Sequence, residues 1–146
     1  MDYIKEAIDY LINYDNLGKA LTNLEMDIRE IKCDLESGQI GAIEYSDMPK
    51  GDSSELPDDK LINKLYRLKV KKMEYCLTKK TLDKMNKALS GLSREDEKIL
   101  RSWYVEGYRG ETVLKHNNCS ESTFYRNKNR AIRTFAIQLH GIAALK

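Results

Sequence analysis

The chain has 146 residues, 41% of them hydrophobic and 33% charged, with 25 Lys and Arg against 23 Asp and Glu. This composition is typical of a soluble helical protein of one ordinary domain or two small ones. No apolar run approaches the roughly 20 residues that a transmembrane helix needs, so we expect no membrane association. Residues 1–6 lack a basic segment followed by an apolar core, which predicts a cytoplasmic protein without a signal peptide.

The small net charge hides an uneven distribution along the chain. Residues 1–60 carry 6 Lys and Arg against 15 Asp and Glu, whereas residues 61–93 carry 9 against 2 and residues 94–146 carry 10 against 6. The acidic first segment and the basic second segment are expected to attract each other. The basic remainder of the chain is suited to a polyanionic partner.

The cysteines argue against a metal site. Cys33, Cys76 and Cys119 are single and widely spaced, and neither His116 nor His140 stands at ligand spacing from any of them. We therefore expect reduced thiols, with no zinc site, no disulfide framework and no cofactor.

The N-terminal segment predicts a long helix. Its apolar positions recur in steps of four and three, the heptad spacing that seats one helix against another. A change of step predicts a kink or break near Asn16-Leu17-Gly18 within a helix of about residues 2–36. The heptad positions are Leu17, Leu21, Leu24, Ile28, Ile31 and Leu35.

The middle of the chain predicts a loop and a second long helix. Residues 37–57 contain both prolines and are expected to form a mobile loop that includes Met48-Pro49-Lys50-Gly51. Asp58 or Asp59 can cap the next helix, which should run to about Leu89. Its apolar stripe is predicted to pack antiparallel on the first helix, in a coiled-coil-like hairpin. That stripe comprises Leu61, Ile62, Leu65, Leu68, Met73, Cys76, Leu77, Leu82, Met85 and Leu89. A hairpin with a one-sided apolar seam leaves open a homodimer through these N-terminal helices.

The C-terminal third predicts three shorter helices. Ser93 is expected to cap the first of them, which buries Ile99, Leu100, Trp103 and Tyr104. A short helix follows near 110–117, and Asn118 can take the left-handed conformation of a tight turn. Ser120 is expected to cap a final helix at 121–139. The predicted inner stripe of that helix is Phe124, Ala131, Ile132, Phe135 and Leu139.

A short helix, a tight turn and a longer basic helix form the geometry that places a recognition helix in the major groove of double-stranded DNA. Arg126 is the best candidate for a base contact, because an arginine can bond bidentately to guanine. Lys128, Arg130 and Arg133 are predicted to meet phosphates. The full set of predicted DNA-binding residues is Glu121, Ser122, Thr123, Tyr125, Arg126, Lys128, Asn129, Arg130 and Arg133.

The segments Leu92–Leu100, Tyr104–Tyr108, Ser120–Arg126 and Arg130–Ile132 together resemble region four of bacterial sigma factors. The resemblance covers about the last third of the chain. It implies a DNA-binding helix-turn-helix domain at 92–140. The chain differs from this pattern at Arg109, Leu114 and Asn117, where a capping Ser or Thr, a small residue and a core leucine are usual.

The full layout resembles small phage and prophage late-gene transcription activators of the RinA and ArpU type. The layout consists of a helical N-terminus, the segment Ile43–Gly51, a second long helix and the region-four-like end. The resemblance implies a regulator that activates phage late genes, with a helical hairpin at 1–90 for oligomerisation or partner contact. Host RNA polymerase is a further candidate partner.

Two other functions remain open. A phage small terminase subunit also joins a helix-turn-helix to helical oligomerisation segments and recognises DNA for packaging. Alternatively, the region-four-like part binds RNA polymerase or an anti-sigma partner instead of DNA. An enzyme is not expected, since no nucleophile–base set, paired carboxylates or phosphate-binding loop occurs, and we assign no catalytic residue.

Overall fold

The computed structural model describes residues 2–38 and 57–145, and these residues form an all-α protein without strands, as the sequence predicts. A π-helical turn, Arg101–Val105, directly follows α4, and a 3₁₀ turn, Gly141–Leu145, follows α6. None of the described helices is both long enough and apolar enough to cross a membrane. The helices are α1 Tyr3–Ile12, α2 Tyr14–Ser37, α3 Pro57–Ser90, α4 Arg94–Leu100, α5 Gly110–Asn117 and α6 Glu121–His140.

The chain divides into two compact units, one made of Met1–Gly18 with Lys80–Lys146 and the other of Lys19–Lys79. The sequence pattern predicts a boundary at residue 91 instead. The difference arises because α1 packs against α6 and against the π-helical turn, far along the chain. Ala7 and Leu11 of α1 are completely buried there.

The predicted break in the first helix occurs at Asn13, earlier than the expected position at residues 16–18. Asp2 begins α1 by accepting hydrogen bonds from the backbone N–H groups of Ile4 and Lys5, both at 3.1 Å. At the break, the Asn13 side-chain amide donates to the Asp9 carbonyl at 2.9 Å. Asparagine side chains compete in this way with the helical backbone pattern, whereas Gly18 is accommodated inside α2.

In the unit of residues 19–79, two ion pairs link α2 and α3. Lys64 Nζ lies 2.8 Å from Asp34, and Lys71 Nζ lies 3.5 Å from Asp27. The higher number on α3 pairs with the lower number on α2, so the two helices run antiparallel. The heptad positions of α2 within this unit are all buried or partly buried, with Ile31 only 3% exposed.

The predicted inner stripe of α3 is wrong over its first half. Leu61, Ile62, Leu65, Met73 and Leu77 are exposed, and so is Cys76. The less exposed face contains the two ion-paired lysines, because the acidic α2 attracts cationic side chains. Further along α3, Leu82, Met85 and Leu89 are buried as expected. The partly buried positions from residue 58 to residue 78 are Lys60, Lys64, Leu68, Val70, Lys71, Tyr75 and Thr78.

Helix α3 begins at Pro57, so Asp58 and Asp59 lie in its first turn and do not precede it as caps. Proline is favoured at the first helical position because its missing N–H is not needed there. Acidic side chains in the first turn oppose the positive end of the helix dipole. The predicted loop of 37–57, with Met48-Pro49-Lys50-Gly51, lies outside the described residues except at its two ends.

The C-terminal helices surround a small apolar cluster. Ile99, Val113 and Phe124 are buried together, one from each of α4, α5 and α6. The predicted cap is confirmed, since Ser93 Oγ accepts a hydrogen bond from Asp96 N at 3.2 Å. All five residues of the predicted inner stripe of α6 are also buried, and Phe124, Ala131 and Phe135 are completely so. Trp103, Tyr108, Leu114 and Cys119 are partly buried against the cluster.

Candidate nucleic-acid interface

The turn between α5 and α6 depends on Asn118, which has φ 52° and ψ 47°. It is the one non-glycine residue with positive φ in the described part of the chain. Asparagine tolerates this left-handed conformation better than most side chains do, as the sequence suggested. The backbone N–H of Cys119 then donates to the Leu114 carbonyl at 3.3 Å, which closes α5 before α6 begins.

Ser120 occupies the N-cap position of α6, but its hydroxyl makes no capping hydrogen bond to the backbone. Its Oγ instead donates to Thr123 Oγ1 at 2.9 Å. Thr123, a predicted DNA contact, is partly buried and engaged in this local pair. The first backbone N–H groups of α6 are therefore without a side-chain acceptor from Ser120, at the end of the helix that attracts anions.

Arg109 stands at the N-cap of α5 and also makes no capping hydrogen bond. Its guanidinium lies 3.7 Å from the centre of the Trp103 ring. It donates to the carbonyls of Trp103 and Tyr108, both at 2.7 Å. Arg109 thus stands where a capping Ser or Thr is usual because its side chain makes other contacts. These contacts hold the segment between the π-helical turn and α5 against Trp103.

Asn117 takes the place of a core leucine by joining a polar chain. Its side-chain amide donates to Ser102 Oγ at 3.0 Å and to the Val113 carbonyl at 2.8 Å. Ser102, only 1% exposed, in turn donates to the Ile99 carbonyl at 3.0 Å. These bonds connect α5 to the segment after α4. Leu114, the third departure, packs partly buried on the apolar cluster.

Lys128 does not project freely from α6. Its Nζ lies 4.3 Å from the centre of the Trp103 ring and 4.9 Å from that of Tyr125. Burial lowers the pKa of the Lys128 ammonium, and the positive charge of Arg109 lowers it further. Lys128 therefore packs on an aromatic pair. The sequence does not predict this, because Trp103 and Tyr125 come together only when the π-helical turn packs against α6.

The other two predicted phosphate contacts also have neighbours. Arg130 forms an ion pair with Asp96 at 3.1 Å, although 63% of the Arg130 side chain remains exposed. Arg133 is exposed and borders an open cleft beside Asp2, Tyr3 and Ile4 at the start of α1. The structure therefore brings the predicted cations into different surroundings, with Lys128 the least accessible of the three.

The N-terminal half of α6 presents an exposed polar face. Ser122, Arg126 and Asn129 are exposed and follow one another at steps of four and three, so they share one side of the helix. Glu121 is also exposed, and Tyr125 is 37% exposed. Arg126 forms no ion pair within the part of the chain that the structure describes. The face thus offers a guanidinium, an amide and hydroxyl groups to an approaching ligand.

No model of a protein family, no curated protein and no solved structure matches the chain. Among the described residues there is also no group of three or more His, Cys, Asp or Glu side chains that could hold a metal ion.

A second basic cluster was missed by sequence reasoning. Arg94, Lys98 and Arg101 of α4 and its continuation line an open cleft together with His116 at the end of α5. Two carboxylates moderate this charge. That of Glu97 lies 3.0 Å from Arg101 Nε, and Glu106 also lines the cleft. The steps of four and three between Arg94, Lys98 and Arg101 place the three cations on one helix face. This spacing is the sequence feature that indicates the cluster.

Proposed function

We propose that this protein is a sequence-specific DNA-binding transcription regulator that places α6 in the major groove. The observation that carries the proposal is the exposed polar face at the N-terminal half of α6, held outward by the buried Phe124 and by the left-handed turn at Asn118. In DNA-binding proteins of this geometry, the first turns of the second helix contact base edges.

The roles of the individual residues follow from their surroundings. Arg126 is the base-reading residue, because its guanidinium has the fork geometry that matches guanine and it stands on the exposed face. Ser122, Tyr125 and Asn129 flank it. Arg130 and Arg133 meet phosphates, and the basic cluster of α4 and His116 provides further backbone contacts. Lys128 acts indirectly by packing on Trp103.

We further propose that the regulator activates phage late genes, on the strength of its resemblance to activators of the RinA and ArpU type. In this role the N-terminal helices serve self-association or contact with host RNA polymerase. The two alternative roles can be distinguished by measurement. A role in DNA packaging predicts a ring-shaped oligomer of many subunits. Polymerase binding without DNA predicts that salt-dependent DNA binding is absent.

The experiment that tests the proposal begins with selection of bound sequences from random duplex DNA, followed by titration at several salt concentrations. Arg126→Ala should cost about 1–3 kcal/mol on the selected site and relax specificity at one position. Arg130→Ala should weaken binding to all sequences alike and lower the salt slope by about one. The two arginines lie one helical turn apart, so each variant is the matched control for the other.

Melting temperatures of both variants keep loss of binding separate from loss of folding. If both variants weaken selected and random DNA equally, Arg126 does not read bases. If the wild-type chain selects no sequence and binds random duplexes without salt dependence, DNA is not the partner, and polymerase binding takes its place.

A further inference from the structure

Helix α3 carries an apolar face that is separate from the face paired with α2. Ile62 is 61% exposed, Tyr66 68%, Met73 58% and Leu77 66%. Their spacing of four, seven and four residues brings them onto one side of the helix at 100° per residue. We call these four side chains the outer stripe. The ion-paired Lys64 and Lys71 lie on the opposite side of α3.

An exposed row of large apolar side chains on a helix marks an interaction surface. The spacing of the outer stripe is the same when read in either direction along α3. Two copies of α3 that run antiparallel can therefore put Ile62 of each copy opposite Leu77 of the other, and Tyr66 opposite Met73. Such self-complementarity is what a two-fold symmetric dimer requires.

The charges at the ends of the stripe fit the same arrangement. Asp59 lies three residues before Ile62, and Lys80 lies three residues after Leu77. Both are exposed and point to the same side of α3 as the stripe. An antiparallel pair of copies brings each Asp59 to a Lys80 of the other copy, whereas a parallel pair would oppose like charges.

We propose that the outer stripe, with Asp59 and Lys80, is the surface through which a second copy of this chain binds, α3 against α3 in antiparallel orientation. The proposal rests on the self-association included in the proposed function and is independent of the DNA contacts. The dimer carries two copies of α6, as a regulator that reads a two-fold symmetric site requires.

Lys69 lies in the middle of the same face, beside the two-fold axis of the proposed dimer. Its aliphatic stem can cover Tyr66 while its ammonium reaches water, but two such lysines oppose each other across the axis. The paired segment, from residue 59 to residue 80, is about 33 Å of helix. An interface of this size belongs to the small class, so we expect dissociation in the micromolar range.

Sedimentation equilibrium of the full chain from about 1 to 500 μM tests the surface. We expect a monomer–dimer equilibrium for the wild type, at least ~100-fold weakened by Tyr66→Lys, because that change puts a further cation beside Lys69 and its copy at the two-fold axis. Lys69→Leu should tighten the dimer at least ~10-fold by replacing repulsion with apolar contact. Circular dichroism confirms folding of each variant. Arg126→Ala should leave the equilibrium unchanged, so failure of the DNA proposal and failure of this proposal give different results.

Charge exchange tests the orientation. Asp59→Lys and Lys80→Asp should each weaken the dimer about two- to fivefold, and the double exchange should restore it. Crosslinking is done with single cysteines in a background of Cys33→Ser, Cys76→Ala and Cys119→Ala. Lys69→Cys should form a disulfide between copies, and Asp59→Cys should not, because antiparallel packing separates its two copies by about 30 Å.

A wild type that stays monomeric at 500 μM overturns the proposal. So does an oligomer that Tyr66→Lys leaves intact, since a different surface then holds the copies together. Crosslinking through Asp59→Cys in preference to Lys69→Cys overturns the antiparallel orientation. Binding of an unrelated protein to the stripe, with no self-association, assigns the surface to that partner and also contradicts the proposal.

Discussion

At the residue scale, two adjacent aromatic side chains divide the tasks of α6. Phe124 is completely buried, whereas Tyr125 is 37% exposed and lies edge-on to Trp103 with ring centres 5.7 Å apart. Phe124→Ala should lower the free energy of unfolding by about 3–5 kcal/mol, because it leaves a cavity in a small core. Tyr125→Ala should cost only about 1 kcal/mol, from a lost exposed aromatic contact. Thermal melting followed by Trp103 fluorescence measures both.

DNA titrations of the same two variants separate folding from contact. Below its lowered melting temperature, the Phe124→Ala protein should retain sequence preference, whereas Tyr125→Ala should bind more weakly while melting almost like the wild type. Equal melting temperatures for the two variants would mean that the inner and outer faces of α6 are assigned wrongly.

At the scale of elements, the turn at Asn118 decides how α5 meets α6. Positive φ is unfavourable for a β-branched side chain, so Asn118→Val should lower the free energy of unfolding by about 1–3 kcal/mol. Asn118→Gly should lie within about 0.5 kcal/mol of the wild type, because glycine adopts this conformation without strain but is more flexible when unfolded. Chemical denaturation of both variants provides the comparison. A harmless valine at this position would rule out the left-handed turn.

The element scale is also where sequence periodicity was least reliable. Helix α3 has apolar residues on two faces, and the ten predicted stripe positions combined both. Periodicity cannot tell which face an acidic neighbour will cover, because that depends on where Asp27 and Asp34 lie in space. The ends of the helix were predicted more accurately than its buried face. Helix α3 ends at Ser90, one residue after the predicted end at Leu89.

At the scale of the whole molecule, α1 belongs to the same compact unit as the C-terminal helices. The His140 ring of α6 lies 5.0 Å from that of Tyr3, and its Nε2 lies 4.0 Å from Glu6. Leu11 of α1 is completely buried in this unit. Leu11→Ala should therefore lower the free energy of unfolding of the unit, which also contains Trp103, by about 2–5 kcal/mol. The adjacent Ile12 is 53% exposed, and Ile12→Ala should cost less than about 0.5 kcal/mol.

Trp103 fluorescence is the appropriate signal for this comparison, because the residue lies almost a hundred positions further along the chain. Under a boundary at residue 91, with α1 in a separate hairpin, Leu11→Ala would leave the Trp103 transition unchanged. If the melting temperature measured by Trp103 fluorescence falls for Leu11→Ala but not for Ile12→Ala, α1 stabilises α6.

The sequence by itself determined the all-α class, the Ser93 cap, the left-handed residue at Asn118 and the buried face of α6. Each of these follows from local rules of capping, backbone conformation and helical period, which act within a few residues. It also predicted the exposed face on which Ser122, Arg126 and Asn129 lie. Once the apolar stripe shows which side of α6 is buried, the residues on the other side must be exposed.

Only the tertiary structure decided which distant segments meet. It brought α1 to α6, turned Arg109 and Lys128 onto Trp103, and paired Arg130 with Asp96. Ring faces and carboxylates become partners only when helices far apart in sequence pack together, and no period along the chain encodes that approach. The accessibility of each cation for a phosphate is for this reason a property of packing and not of the sequence pattern.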